Sequence, residues 1–258
     1  MTEIWRVLSL ARNDFSYFFR TKWLMAVLLS LNLSDMLVVA LVYNKLMNFD
    51  YFRFFVPAVV VMGLFVAALD TGRRIWLAIR EGVIHYYLSL PISTQGIVAA
   101  YLLAGGSASL VYSSALLLIA LVVLPAQAIW NTLILLPFIF LLAMGLAGMS
   151  ASLAALASTH GEFFFAYQQI MQVALLTSST VFYPIEVMAN YFPSFLLGIV
   201  EGNPLSLAAQ AMRQYTFAGQ PVEVLFMLRI LATSIPFAAI GAVAYLAVLH
   251  RIQVKGKL

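Results

Sequence analysis

The 258-residue chain has no cysteine, so disulfides, thiolate metal sites and cysteine nucleophiles are excluded together. Charge is nearly as scarce. Asp, Glu, Lys and Arg make up 9% of the residues, against roughly a quarter in a soluble domain. Recognisable chemistry is missing as well. No G-x-x-x-x-G-K-[ST] loop is present to cradle nucleotide phosphates, so the chain cannot power itself with ATP. There is no H-E-x-x-H, and His85, His160 and His250 lie in separate segments, so no metal site is signalled. Nor is there a G-x-S-x-G elbow. The expectation is a protein with no catalytic residue, metal or cofactor of its own. The net charge of +4 does not point to nucleic acid, because the basic residues cluster at the ends of apolar runs, where they set membrane orientation.

What is abundant is hydrophobicity. With 64% apolar residues and a mean hydropathy of +0.99, the chain reads as an integral membrane protein, a single transmembrane domain over 1–258. A hydrocarbon core of about 30 Å asks for about 20 apolar residues per helix. Six runs answer: Trp23 to Tyr43, Tyr51 to Leu69, Gly96 to Leu124, Trp130 to Ala157, Phe163 to Tyr183 and Val224 to Leu249. No small-residue cleavage site follows the first, so it is expected to be retained. Six spans put both termini on one side. Arg6, Arg12, Arg20, Lys22, Arg73, Arg74, Arg80, Arg251, Lys255 and Lys257 fall on that side, against Lys45, Arg53, Arg213 and Arg229 opposite; ten against four predicts cytoplasmic termini.

Three segments between the runs have structure of their own. In residues 1–22, Ile4, Leu8, Ala11, Phe15 and Phe18 recur on one helical face and Arg6, Ser9, Asn13, Ser16 and Arg20 on the other, the pattern of a helix lying in the membrane interface. From Ile75 to Leu90 a short helix is expected in the longest cytoplasmic loop, with Arg80, Glu81 and His85 polar, Leu77, Ile84 and Leu88 apolar, and Pro91 as its stop. It is too short to stand alone and must dock on something. Between the fifth and sixth runs, 183–218 is broken by Pro184, Pro193 and Pro204 yet carries the apolar stretches IEVMANYF and SFLLGIV. Backbone at membrane depth must find hydrogen-bond partners in protein, so this segment is expected to be a re-entrant helical hairpin, with Asn203-Pro204 turning into a further helix, LSLAAQAMRQY.

Single residues add detail. Asp35 falls near the middle of the first span beside Asn32 and Ser34; a carboxylate there must face a partner, a cavity or another subunit, and Asn32 and Asp35 are the pathway candidates. Asp70 sits one turn before Arg73 and Arg74, a helix-end ion pair. Glu162 reads as a solvated loop charge, and Arg229 as snorkelling or paired with Glu186, Glu201 or Glu223. Gly145, Gly148 and Ser152 permit close helix contact.

In order and spacing, REG…LSLPIS (Arg80 to Ser93) and FYPIEVMANYFP…NPLSLAAQAMR (Phe182 to Arg213), with the amphipathic start, resemble the type 2 ABC transporter permeases over nearly the whole chain. That resemblance implies an all-α half-transporter: six spans, an N-terminal interface helix, a coupling helix that seats in an ATPase (Arg80, Glu81, His85, Leu88, Pro91), and a re-entrant hairpin closing the outer end (Tyr183, Pro184, Glu186, Pro193, then Asn203, Pro204 and Arg213). It further implies two separate ABC ATPase subunits holding ATP and Mg, a second permease copy forming a homodimer, contact with membrane lipid, and the cytoplasmic (inner) membrane of a prokaryote. The expected activity is export of an amphipathic, lipid-linked, drug-like or polysaccharide cargo; the alternative is a proton-coupled secondary transporter. One departure is that many relatives carry a further acidic residue in the coupling helix, where this chain has His85, Tyr86 and Tyr87.

Overall fold

The computed structural model describes residues 2–157 and 161–255. His160 and Lys257 lie outside them. The described residues are all helical with no strand, and five helices are long and apolar enough to cross a membrane. In chain order the helices are α1 (Glu3–Arg20), α2 (Lys22–Leu46), α3 (Tyr51–Arg80), α4 (Val83–Ser89), α5 (Thr94–Val123), α6 (Ile129–Leu156), α7 (Gly161–Thr177), α8 (Ile185–Met188), α9 (Ser194–Gly202), α10 (Pro204–Ala211, running on as a π-helical turn, Met212–Phe217) and α11 (Val224–Lys255).

α3 is the axle of the bundle, with 78% of its most apolar window buried, against 17% for α2 and 22% for α11. α5 and α6 pack along it, and α11 closes onto α6 in the most extensive helix contact of the molecule. The core divides in two. One half gathers Phe55, Phe65, Leu116, Leu135, Leu205 and Tyr215 at the end bearing the hairpin. The other gathers Leu10, Ile75, Ile84, Ile97, Tyr245 and Leu249 at the end where α1, α4 and the C-terminal part of α11 meet, called here the terminal end.

Small residues set how closely the helices approach. A Cβ on Gly241 of α11 would lie 2.0 Å from the carbonyl carbon of Gly148 on α6, and one on Gly145 would lie 2.8 Å from Ser234 O. Gly145 and Gly148 therefore do what their spacing predicts. Ser152 instead donates to its own helix, at Met149 O.

Two boundaries and one helix face differ from the sequence reading. The second apolar run does not end at Leu69; α3 continues unbroken to Arg80, so the expected helix from Ile75 to Leu90 is split. The break is at Gly82, which adopts φ 73, a left-handed conformation that only glycine takes without strain. The fifth run is helical only over the 17 residues of α7 and then unwinds through 178–184. Finally, the apolar face of α1 is shared: Ala11, Phe15 and Phe18 turn to the bundle, while Ile4, Trp5 and Leu8 stay exposed.

Candidate functional site

At the terminal end, α1, the last turns of α3 and α4 form one unit. The Arg6 guanidinium donates to the Pro91 carbonyl and the Glu3 carboxylate accepts from Ser93 N at 3.2 Å, so both ends of the α4–α5 connection are tied to α1. α4 buries Ile84 completely and half-buries Leu88, while His85 and Tyr86 face outward. Glu81 is exposed in the turn ahead of α4, and the exposed Arg80 lays its guanidinium 5.2 Å from the Trp76 ring. Thus Arg80, Glu81 and His85 present an outward polar edge, Leu88 anchors the helix, and Pro91 supplies an acceptor rather than a mere stop.

Behind this edge lies a buried charge cluster. Arg74, 3% exposed, donates to the Asp14 side chain and to Asp14 O at 2.8 Å, and pairs with Asp70 at 3.2 Å; Arg73 Nε donates to Asp70 at 2.6 Å. The expected Asp70 pair exists, yet it sits well inside α3 and bridges to α1. Asp14 escaped the sequence reading. Its signal was present, because Arg73-Arg74 offers two cations to one local acid, and α1 is a basic helix whose one acid in its second half lies beside Phe15. Burial pushes the Asp14 carboxyl up to about 6; Arg74 pulls it down and Asp70 pushes it further up.

In the middle of α2, Asn32 and Asp35 part company. Asn32 is buried and donates to Leu28 O at 2.8 Å and to the Tyr112 hydroxyl of α5 at 3.1 Å, which explains it as a packing bond. Asp35 opens a π-helical turn, Asp35–Val39, and is half-buried, and its carboxylate has no hydrogen bond or ion pair among the described residues.

At the opposite end, the proline-broken segment is sewn in place by side chains. Tyr183 is exposed, Pro184 is the N-cap residue of the single turn α8, and Pro193 is that of α9. Asn203 caps α10 by accepting from Leu205 N at 2.8 Å, and its amide donates to Leu175 O and to Ser178 O at 2.8 and 2.9 Å; Pro204 takes the first helical position, where a missing N–H costs nothing. Arg213 donates to Phe54 O at 2.8 Å, Thr180 O at 2.9 Å and Val181 O at 3.2 Å and lies 3.6 Å from the Phe54 ring centroid. Unwound backbone held inside the fold needs such donors. Burial pulls the Arg213 guanidinium down to about 9, with Tyr51 and Glu186 acting the other way. Arg213 also borders a cavity of about 360 Å³ that holds Glu186, Glu201, Gln210, Gln214 and Arg229. Arg229 and Glu201 thus line one chamber but form no ion pair among the described residues.

Replacing Asn203 with alanine removes the cap and strands two carbonyls; a loss of about 2 kcal/mol is expected, from about 1 for the cap and about 1 for part-buried acceptors left unpaired. A thermal melt in detergent, with protease sensitivity between 178 and 203 as a local readout, measures it.

Compared with known proteins, the chain matches no protein-family model and no curated protein.

Proposed function

We propose that this chain is the membrane-spanning permease subunit of an ATP-driven exporter of the type 2 ABC class. The observation that carries the reading is α4: a short helix hung from the central α3 by a glycine turn, clamped to α1 at Pro91 and Ser93, and presenting Glu81, His85 and Tyr86 outward. A helix of seven residues has no stability of its own, and its rigid mounting on the axle of the bundle is what transmitting a push requires. The chain has no nucleotide-binding motif, so the push comes from a second protein: two ATPases, holding ATP and Mg, that draw together and drive α4 and α1 against α3.

In this reading the terminal end is cytoplasmic, in the inner membrane of a prokaryote, and α7, about 25 Å long, completes a sixth span together with the residues around it. Two copies make the pathway, with the exposed apolar faces of α2 and α7 available to lipid or to the second copy. The hairpin and Arg213 close the outer end, and the cavity beside them is the exit vestibule for an amphipathic or polysaccharide-like cargo. A proton-coupled carrier would need several midplane ionisable groups, and between Lys22 and Lys45 at its ends α2 has one charged residue, Asp35.

The test is association and transport. Glu81→Lys and Leu88→Asp should each lower retention of the ATPase by about tenfold, as loss of a charged or anchoring interface contact does, while the bundle still elutes as a folded species. Reconstituted vesicles should move cargo only with ATP and the ATPase. Transport driven by an ion gradient with this chain alone ends the proposal in favour of the carrier.

A further inference from the structure

The charge cluster at the terminal end walls a cavity of about 100 Å³ between α1, α3, α4 and α5 that the export reading does not use. Its mouth is formed by exposed residues, Asn13, Tyr17 and Glu81. Its floor is Asp14, Arg74 and Tyr101, with Tyr87 on one wall. Tyr101 is 3% exposed, and its hydroxyl, unlike that of Tyr112, makes no hydrogen bond among the described residues. The hydroxyl of Tyr245, whose ring meets the Tyr101 ring edge-on at 6.0 Å, is fully buried without a partner.

The lining favours a cation. Two carboxylates, Asp14 and Glu81, face one guanidinium, and Arg74 is already spent on Asp14, Asp70 and Thr71. Three phenol rings complete the wall, and ring faces attract ammonium groups. Size narrows the choice. On the scale where a cavity of about 150 Å³ holds the six carbons of benzene, this one takes about four non-hydrogen atoms. An ethylammonium arm has three; a trimethylammonium group on the same arm has six.

We infer that this cavity binds a primary ammonium group on a short alkyl arm, the ammonium between Asp14, Glu81 and the tyrosines and accepted by the free Tyr101 hydroxyl oxygen. Such a group is carried by the ethanolamine headgroup of a phospholipid or by a soluble amine. The lipid source is within reach because α1, which supplies Asn13, Asp14 and Tyr17, also exposes Ile4, Trp5 and Leu8. The inference does not rest on the export reading, since it concerns the isolated chain and needs no ATPase, although the two share Glu81.

The experiment follows the thermal midpoint of the purified chain in two arms. In detergent, ethylammonium chloride is titrated against tetramethylammonium chloride at equal ionic strength; in nanodiscs, choline lipid is compared with a mixture containing ethanolamine lipid. The midpoint should rise with ethylammonium or with ethanolamine lipid and stay level with the methylated counterparts. In Tyr101→Phe and Glu81→Gln the response should move to about tenfold higher concentration, the cost of losing one hydrogen bond to a charged group. Response in both arms assigns the ammonium itself as the ligand, and response in the nanodisc arm alone assigns the lipid headgroup. Equal response to ethylammonium and tetramethylammonium, no response in either arm, or wild-type response in both variants overturns the inference. Tyr101→Phe keeps the ring and Glu81 is exposed, so both variants fold, and their ligand-free midpoints report if they do not.

Discussion

Gly241→Ala is expected to lower the stability of the folded bundle by at least about 2 kcal/mol, the overpacking penalty at the top of its usual range of about 1–3 kcal/mol less about 1 kcal/mol of helix propensity gained. The reason is what the added methyl meets. It would lie 2.0, 2.1 and 2.3 Å from the carbonyl carbon, oxygen and Cα of Gly148, all main-chain atoms of a helix interior, which cannot rotate aside. The α6 and α11 axes must separate, and the contact they lose is the most extensive one in the molecule. Within a membrane, close packing is the main force between helices, since lipid tails are as apolar as the partner helix. Two comparisons make the result specific. Gly63→Ala meets Leu116 Cδ1 at 2.1 Å, a side-chain tip that a rotamer change can remove, so its loss should be under about 1.5 kcal/mol. Gly198→Ala meets nothing within 4 Å and should match or exceed the wild-type midpoint. Size-exclusion thermal melts in one detergent rank all three. Equal midpoints for Gly241→Ala and Gly198→Ala would show that α6 and α11 do not approach as described.

That contact was half legible. The run of small residues at Gly145 and Gly148 announces a close approach, because nothing else explains two glycines in the middle of an apolar helix. The partner, Gly241, sits alone in an alanine-rich stretch, and no periodicity names which helix it will face. The same division runs through the molecule. Long apolar runs, the proline-broken segment and the Asn203-Pro204 helix start are local signals, and each has its helix or cap in the structure. The continuation of α3 to Arg80 was hidden because Asp70, Arg73 and Arg74 read as the end of a span, whereas their charges are neutralised inside the fold by one another and by Asp14 on α1. Pairing across 60 residues leaves no trace in local spacing. Gly82 was visible as a residue but not as a break, since a single glycine is tolerated in many helices and only the observed φ of 73 decides. The three carbonyls held by Arg213 were out of reach for a simpler reason: an arginine bonded to main-chain oxygens has no partner residue type to look for.

In the export reading, the Asp14–Arg74 pair is where movement of α1 reaches α3, and breaking it has a larger effect still. Arg74→Met leaves Asp14 facing a site with no cation of its own and Asp70 with Arg73 alone; breaking one partner of a buried pair costs about 3–5 kcal/mol. Asp14→Leu combined with Arg74→Met should recover more than half of that loss, because removing both charges removes the desolvation with the attraction. Proton linkage separates this from a simple packing defect. The Asp14 pKa is near 6 in the folded chain and ordinarily 3.8, so between those values the folded state holds the extra proton. Stability from this group is therefore greatest below about 4, falls as pH rises toward 6 and is level above it, a span of up to about 3 kcal/mol. The wild-type midpoint should rise when pH drops from 7 to 5, and Asp14→Asn should flatten that rise. In Arg74→Met the downward pull on the carboxyl is gone, so protonation begins above pH 6 and the deficit against wild type should shrink markedly at pH 5. A deficit of the same size at pH 5 and pH 7 would mean that Arg74 matters through its packing and not through the charge it shares with α1.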